Sequence, residues 1–315
     1  MKIVTLNQIL DALPAIDLID VIEQGFIAYS KGEVVVPPVG EMIFEEPPGD
    51  VHIKYGYIRS DDHFVIKIAS GFYNNPGLGL PSSGGMMLLF SQKTGQPLAA
   101  LLDEGKLTDL RTAAAGAIAA KHLAPTHVRR IGIVGTGIQA RLQLRQLKCV
   151  TTCRAATVWG RSQEKLAEYR EEMEKDGFEI TTTQNSDQVA AECNLIVTAT
   201  PSTEPLLRAE HIRPGTHITA VGADGPHKQE LDSAILKMAD VLVADSIAQC
   251  LERGEIFRAL QNRQIAKEDL LELGNVISGA SEGRTSDEQI TIADLTGVAV
   301  QDIQIAKAVY AGLGG

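Results

Sequence analysis

The residues best spaced for chemistry lie mid-chain, where the apolar run Ile131–Val134 leads into Gly135-Thr136-Gly137-Ile138-Gln139-Ala140. In a G-x-G-x-x-A run the first glycine permits a tight turn after a strand. The second lets a pyrophosphate reach backbone N–H groups at the positive end of a helix, and the alanine lets that helix pack closely on the strand. A glycine-rich turn alone is weak evidence. With an apolar strand before it and a helical segment through Leu147 after it, the run reads as a dinucleotide-binding fingerprint. The next expected strand, Ala156–Trp159, ends in Gly160-Arg161-Ser162. An NAD-selective site carries Asp or Glu there to hold the ribose 2′-hydroxyl, whereas Arg161 and Ser162 offer a cation and a hydroxyl to a 2′-phosphate. NADP is therefore favoured over NAD; a merely solvated Arg161, with both cofactors accepted, is the other reading.

The elements that must position this turn show in the hydrophobic pattern. Apolar runs at 131–135, 156–160, 194–199, 217–222 and 240–244 alternate with helical segments, the signature of a parallel, Rossmann-type α/β sheet. Upstream, Leu6, Ile9, Leu10 and Leu13, then Leu18, Ile19, Ile22 and Phe26, predict two short helices on either side of Pro14. Val51–Ile58, Phe64–Ala69, Met86–Phe90 and Leu98–Leu102 are β-branched or aromatic runs between Gly and Pro clusters, and predict a mainly antiparallel sheet. An Ala-rich helix from its expected cap, Thr108, to Leu123 leads out of that sheet. Residues 291–312 follow the last α/β unit and end in an amphipathic helix, Val298–Tyr310, able to return to the N-terminal sheet. The expected organisation is a discontinuous α+β domain, 1–122 with 296–315, and a Rossmann domain, 123–295.

Composition excludes several classes. The chain has 315 residues, 44% hydrophobic and 22% charged, with a net charge of −11. Phosphate backbones demand clustered cations, and Arg129-Arg130 is the densest basic pair, so no nucleic-acid partner is expected. Asp11, Asp17 and Asp20 interrupt the opening segment, which predicts no signal peptide. No run approaches the roughly 18 apolar residues that cross a bilayer, so a cytoplasmic protein without a membrane partner is expected. Cys149, Cys153, Cys193 and Cys250 make no C-x-x-C pair, and the histidines have no H-x-x-x-H spacing; no metal site is expected.

With these pieces placed, nearly the whole chain resembles the ornithine cyclodeaminase and mu-crystallin family. The resemblance rests on Lys67 in Phe64-Val-Ile-Lys-Ile-Ala69, Gly79-Leu-Pro-Ser82, Thr94-Gly95 with Pro97-Leu-Ala99, and Leu107-Thr-Asp-Leu-Arg111-Thr112-Ala-Ala. To these it adds the fingerprint, Thr198-Ala-Thr200-Pro-Ser, Pro214-Gly-Thr-His-Ile-Thr-Ala-Val-Gly-Ala-Asp224 and Gln229-Glu-Leu-Asp232. Within the family, Asp50-Val-His-Ile-Lys54-Tyr-Gly-Tyr and Leu101–Thr112 are most similar to the ectoine-utilisation branch. The resemblance implies that the discontinuous domain binds substrate and forms a homodimer through the N-terminal sheet. It also implies hydride exchange between NAD(P) and the α-carbon of a small amino or imino acid.

On that basis roles can be assigned. Lys67, on a strand among apolar neighbours, is expected to have a lowered pKa and to polarise or protonate the substrate. Arg111, near the start of the Ala-rich helix, is expected to clamp a carboxylate with its planar fork. Asp224, beyond the strand His217–Gly222, is expected to relay a proton or orient ammonia or water, and Thr112 and Thr200 to help hold the cofactor. Many members carry an arginine after V-x-P-V, but this chain has Gly40 after Val36-Pro37-Pro38-Val39. Lys54, sharing a strand face with His52 and Gly56, is the candidate to supply the lost charge. Specificity should also depend on loops such as Gly71–Leu80. The leading function is an imine reductase or amino-acid dehydrogenase. A redox-neutral cyclodeaminase and a non-enzymatic ligand-binding protein of mu-crystallin type are the alternatives.

Overall fold

A computed structural model describes every residue except Tyr73, so that part of the Gly71–Leu80 loop lies outside the described residues. The chain divides into two compact units, Met1–Arg111 with Val298–Gly315, and Thr112–Gly297. The first crossing falls inside the helix Lys106–Leu123, near its start rather than at its end.

The first unit is built on a seven-stranded sheet: β1 (Lys2–Val4), β2 (Val34–Val35), β3 (Gly40–Phe44), β4 (Gly49–Ile58), β5 (His63–Phe72), β6 (Ser83–Ser91) and β7 (Pro97–Leu101). Its order is β1-β7-β6-β5-β4-β2, with β3 also on β4. All pairings are antiparallel except β1 with β7. The four expected strands are present, the first three slightly extended and the fourth shifted by one residue, and β1, β2 and β3 join them. These three are too short or too exposed to show an alternating pattern.

Alternation along β5 and β6 separates two faces. Val65, Lys67, Met87 and Leu89 are buried on one, where the C-terminal helix Ala299–Gly312 lies. Gly56 allows the close approach of β2 instead: a Cβ there would stand 2.4 Å from the Val35 carbonyl oxygen, whereas Ile303 Cδ1 of the helix, at 3.5 Å, is at ordinary contact distance. The helix Leu18–Ser30, capped by Asp17 accepting from the Ile19 and Asp20 amides, packs on the same C-terminal helix. The other face carries Ile66, Ile68, Leu88 and Phe90, half-buried, with Tyr55 and Met86 exposed.

The expected cap, Thr108, falls inside its helix. The helix starts at Lys106 because Asp103 Oδ2 accepts from the Leu107 amide at 3.0 Å, satisfying a first-turn donor.

The second unit holds an eight-stranded parallel sheet: β8 (Ile131–Val134), β9 (Ala155–Trp159), β10 (Glu179–Thr183), β11 (Leu195–Thr198), β12 (His217–Ala220), β13 (Val241–Ala244), β14 (Leu270–Glu272) and β15 (Thr291–Asp294). The order β10-β9-β8-β11-β12-β15-β13-β14 is a doubly wound arrangement with its switch point between β8 and β11. Thr291–Asp294, read from sequence as lying after the last α/β unit, is instead the strand between β12 and β13. Its polar ends hide it from a hydrophobicity pattern. Both are buried, Thr291 Oγ1 against His217 Nδ1 at 2.8 Å and Asp294 Oδ2 accepting from the Ile256 amide at 2.8 Å.

Candidate functional site

At the carboxyl end of β8 the chain turns through Gly135, whose φ of +127° strongly favours glycine. Any Cβ there would also meet the Ala199 carbonyl oxygen at 2.7 Å. Gly137 is different: its φ of −79° suits any residue, and a Cβ would find nothing within 4 Å. Its hydrogen side chain keeps open the start of the helix Ile138–Gln146, which has no side-chain cap. Ile138 is exposed, Gln139 half-buried in the first turn, and Ala140 fully buried where the helix meets the sheet. Arg141 braces the turn by donating to the Thr136 carbonyl and, at 3.3 Å, to that of Gly137, with Glu172 at 2.7 Å on its other side.

Gly135, Thr136 and Gly137 line a cleft of about 470 Å³ with Trp159, Gly160, Arg161, Lys165 and the Ala199–Thr203 segment. Open backbone N–H groups at an uncapped helix start, beside two cations, fit the pyrophosphate and ribose end of a dinucleotide. Ser162 has a second duty here, since its Oγ accepts from the Lys165 amide at 3.3 Å and caps the helix Gln163–Lys175.

The far wall of the cleft is held by Glu230, fully buried. Its carboxylate accepts from Thr198 Oγ1, from the amide and Oγ1 of Thr200, and from the Gly222 amide, at 2.7–2.9 Å. Burial pushes it up to about 7 against those four donors. Thr200 thus shapes the cleft while its hydroxyl proton is committed to Glu230. Thr112, also in the second unit, accepts through its carbonyl from Gln143 Nε2 at 3.0 Å.

In the first unit, Lys67 and Arg111 come together. Lys67 Nζ lies 3.2 Å from Asp302 Oδ2, and Arg111 Nε lies 2.9 Å from Asp302 Oδ1. Arg111 Nη1 also donates to Gln301 Oε1 at 2.8 Å. Burial pulls Lys67 down to about 8; Asp302 and Asp103 hold it up, and Arg111 presses it lower. For Asp302 burial acts upward, but Arg111, Lys67 and Lys54 outweigh it and hold the carboxyl below its usual range.

Lys54 sits directly across from Lys67 in the β4–β5 register, half-buried on the same face, with His52 and Gly56. His52 is engaged by Glu41 at 3.3 Å and Asp50 at 3.5 Å. Gly40 pairs with Ile53, so a side chain at that position would start from the opposite face. Asp224, in the second unit beyond β12, is exposed and ion-paired with Lys228 at 2.6 Å.

Asp302, Glu230 and Arg141 carry no role in the sequence pattern, although Glu230 lies inside the Gln229-Glu-Leu-Asp232 run. Asp302 had a local signal, being an acid three, four and seven residues before Ile305, Ala306 and Val309, all buried on the C-terminal helix.

The family model for the ornithine cyclodeaminase/mu-crystallin family matches residues 2–314. An uncharacterized cyclodeaminase of Sinorhizobium fredii is 42% identical over 314 residues, 98% of this chain and 95% of that one. An archaeal alanine dehydrogenase dimer with bound NAD superposes with a TM-score of 0.91 at 35% identity, covering 99% of this chain and 95% of that one. The Delta(1)-pyrroline-2-carboxylate reductase of Thermococcus litoralis, in complex with NADH and L-proline, gives a TM-score of 0.92 at 29% identity, covering 99% and 97%.

Proposed function

This chain belongs to the ornithine cyclodeaminase/mu-crystallin family, and from its buried Lys67–Arg111 pair we propose that it reduces a small α-imino acid, or oxidises the matching α-amino acid. It is an NAD(P)-dependent oxidoreductase acting at a C–N bond. The carrying observation is a buried lysine and a buried guanidinium held on one buried carboxylate, Asp302, where burial lowers the lysine to about 8. That pairing suits proton donation to an imine nitrogen next to a carboxylate.

The dinucleotide, when bound, supplies or takes the hydride. Arg111 holds the α-carboxylate, with Lys54 adding positive charge on the same sheet face. Lys67, protonated below about 8, polarises or protonates the nitrogen. Asp224 is assigned the proton or amine at the iminium carbon. Thr136, Gly137 and the first turn of the following helix bind the pyrophosphate, and Thr112 and Thr200 complete that side of the site.

The test is a panel of cyclic and linear imino acids assayed with NADH and NADPH. Stoichiometric loss of reduced cofactor supports reduction; turnover of a diamino acid with no net change in cofactor supports the cyclodeaminase reading, which the 42%-identical relative's name favours. Turnover of neither class removes both. The same assay addresses the cofactor. The solved relatives above carry NAD or NADH, but Arg161 and Lys165 line the cleft with Ser162 alongside, which favours a 2′-phosphate. Arg161→Ala is therefore expected to lower kcat/KM with NADPH by about 10- to 100-fold while leaving NADH nearly unchanged, the value of one or two charge-assisted hydrogen bonds. Equal losses with both cofactors would refute the NADP preference.

A homodimer is proposed through the open face of the first unit's sheet, where Tyr55, Ile66, Ile68, Met86 and Leu88 expose apolar surface. Ile66→Glu is expected to convert the protein to a monomer in light scattering at micromolar concentration. A parent protein already monomeric there would sink the proposal.

A further inference from the structure

Asp302 joins two cations that come from two different elements. Lys67 stands on β5 and Arg111 on the helix Lys106–Leu123, while the carboxylate between them is delivered by the C-terminal helix. Asp302, Lys67 and Arg111 are 1%, 2% and 5% exposed. Both carboxylate oxygens lie within ion-pair distance of a cation, though among the described residues neither they nor Arg111 Nε makes an aligned hydrogen bond. Charge therefore holds the three together more than directed bonding does. Apolar side chains already pack this helix, with Ile303, Ile305 and Val309 fully buried. Burying a charge is costly, and replacing such groups by apolar ones is often neutral or stabilising, so a role beyond packing is indicated.

We propose that Asp302 is a positioning residue, which sets Lys67 and Arg111 side by side and keeps Lys67 an ammonium, so that the three together offer one net positive charge to a substrate carboxylate. The inference rests on the reading of Lys67 and Arg111 under the proposed function. Gln301, next on the same helix, steadies Arg111 through its Oε1.

The charged groups that act on Lys67 are Asp302 from the C-terminal helix, Arg111 from the helix Lys106–Leu123, and Asp103 from the segment after β7; Lys54 on β4 acts on Asp302. Burial lowers Lys67, Arg111 adds to that, and Asp302 and Asp103 oppose it, with Asp302 the stronger. Removing the carboxylate's charge must therefore let Lys67 lose its proton at lower pH.

Asp302→Asn and Asp302→Glu in the full-length protein test this. The pH profile of kcat/KM is read on whichever imine the panel selects, and calorimetry follows binding of pyrrole-2-carboxylate, a planar carboxylate that cannot accept hydride. The parent should lose both activity and binding as pH rises through about 8. Asp302→Asn should move that limb down by about 1–3 pH units, the usual reach of one neighbouring charge. Its loss should then be about 5- to 500-fold at pH 8, across that range of shift, and far smaller at pH 6. Asp302→Glu should return the limb to near 8 with a raised KM, because charge is kept and position is not.

A purely structural role would lower stability or active fraction at every pH alike and leave the limb in place, which overturns the inference. If Asp302→Asn does not fold, Asp302→Glu decides: a shifted limb, or a parental KM, overturns it. Should the parent reduce no imine while the binding limb still moves as stated, the functional reading fails and the inference survives. Should the parent reduce imines and neither limb move, the inference alone fails.

Discussion

Lys67→Met is expected to lower turnover of every accepted imine by about 10²–10⁴-fold, the range for losing a positioned acid or base, while the protein stays folded. The substitution is chosen to leave the core intact. Lys67 lies on the buried face of β5 with Val65, opposite Met87 on β6, so an unbranched apolar side chain suits its surroundings. Asp302 is not stranded, because Arg111 Nε remains 2.9 Å from its Oδ1. Proton linkage works in the same direction. Lys67 falls from an ordinary 10.5 to about 8 in the folded protein. Between those pH values the unfolded chain binds more protons, so the stability traceable to Lys67 rises with pH from about 8 to about 10.5 and is lowest below 8. Methionine removes that slope together with the burden of a buried ammonium at neutral pH. Circular-dichroism melts at pH 7 should therefore find the variant at least as stable as the parent. On going to pH 10 the parent should gain stability relative to the variant. Retained turnover would remove Lys67 from the chemistry.

Gly137→Asp should abolish dinucleotide binding, by at least about 100-fold in Kd, and still raise or maintain Tm. The opposed signs follow from local geometry. At φ −79° and ψ −172° the backbone accepts an aspartate, and its Cβ meets no atom within 4 Å. The helix it precedes has no side-chain cap, so the new carboxylate can accept from a first-turn amide, a contact of about 0.5–2 kcal/mol. The same carboxylate then occupies the N–H groups that a pyrophosphate needs, and repels its charge. Quenching of Trp159 fluorescence in the cleft wall, titrated with NADH and NADPH, would measure the loss. Gly135→Asp is the contrasting control. There φ is +127° and the Ala199 carbonyl oxygen stands 2.7 Å from a Cβ, so folding itself should suffer. Normal cofactor binding by Gly137→Asp would mean that the cleft does not bind the dinucleotide.

Much of this protein is written in local pattern. The G-x-G-x-x-A run needs only its own strand, turn and helix, and those are set by residues 131–146. The period-two geometry of β5 likewise sets Lys67 on one face with Val65, while Ile66 and Ile68 on the other leave open, from sequence, which face is buried. Such features are legible because their physical cause lies within one element. Boundaries are less so: Thr108 has the residue type of a cap, but the helix starts two residues earlier, where Asp103 accepts from the Leu107 amide, and the place of Asp103 depends on how β7 ends.

What the sequence by itself determined was the set of parts: a parallel α/β unit with a dinucleotide turn, an antiparallel sheet carrying Lys67, and a helix carrying Arg111. Only the tertiary structure decided how some of those parts meet. Thr291–Asp294 became an interior strand because β12 and β13 left a place between them, and its buried Thr and Asp find partners there that no hydrophobicity pattern contains. Arg111 met Gln301 and Asp302 across 190 residues of chain, since the C-terminal helix returns to the first unit. An ion pair formed at that separation leaves no trace in local sequence, because its energy depends on distance in space and on burial, and both exist only once the chain has folded.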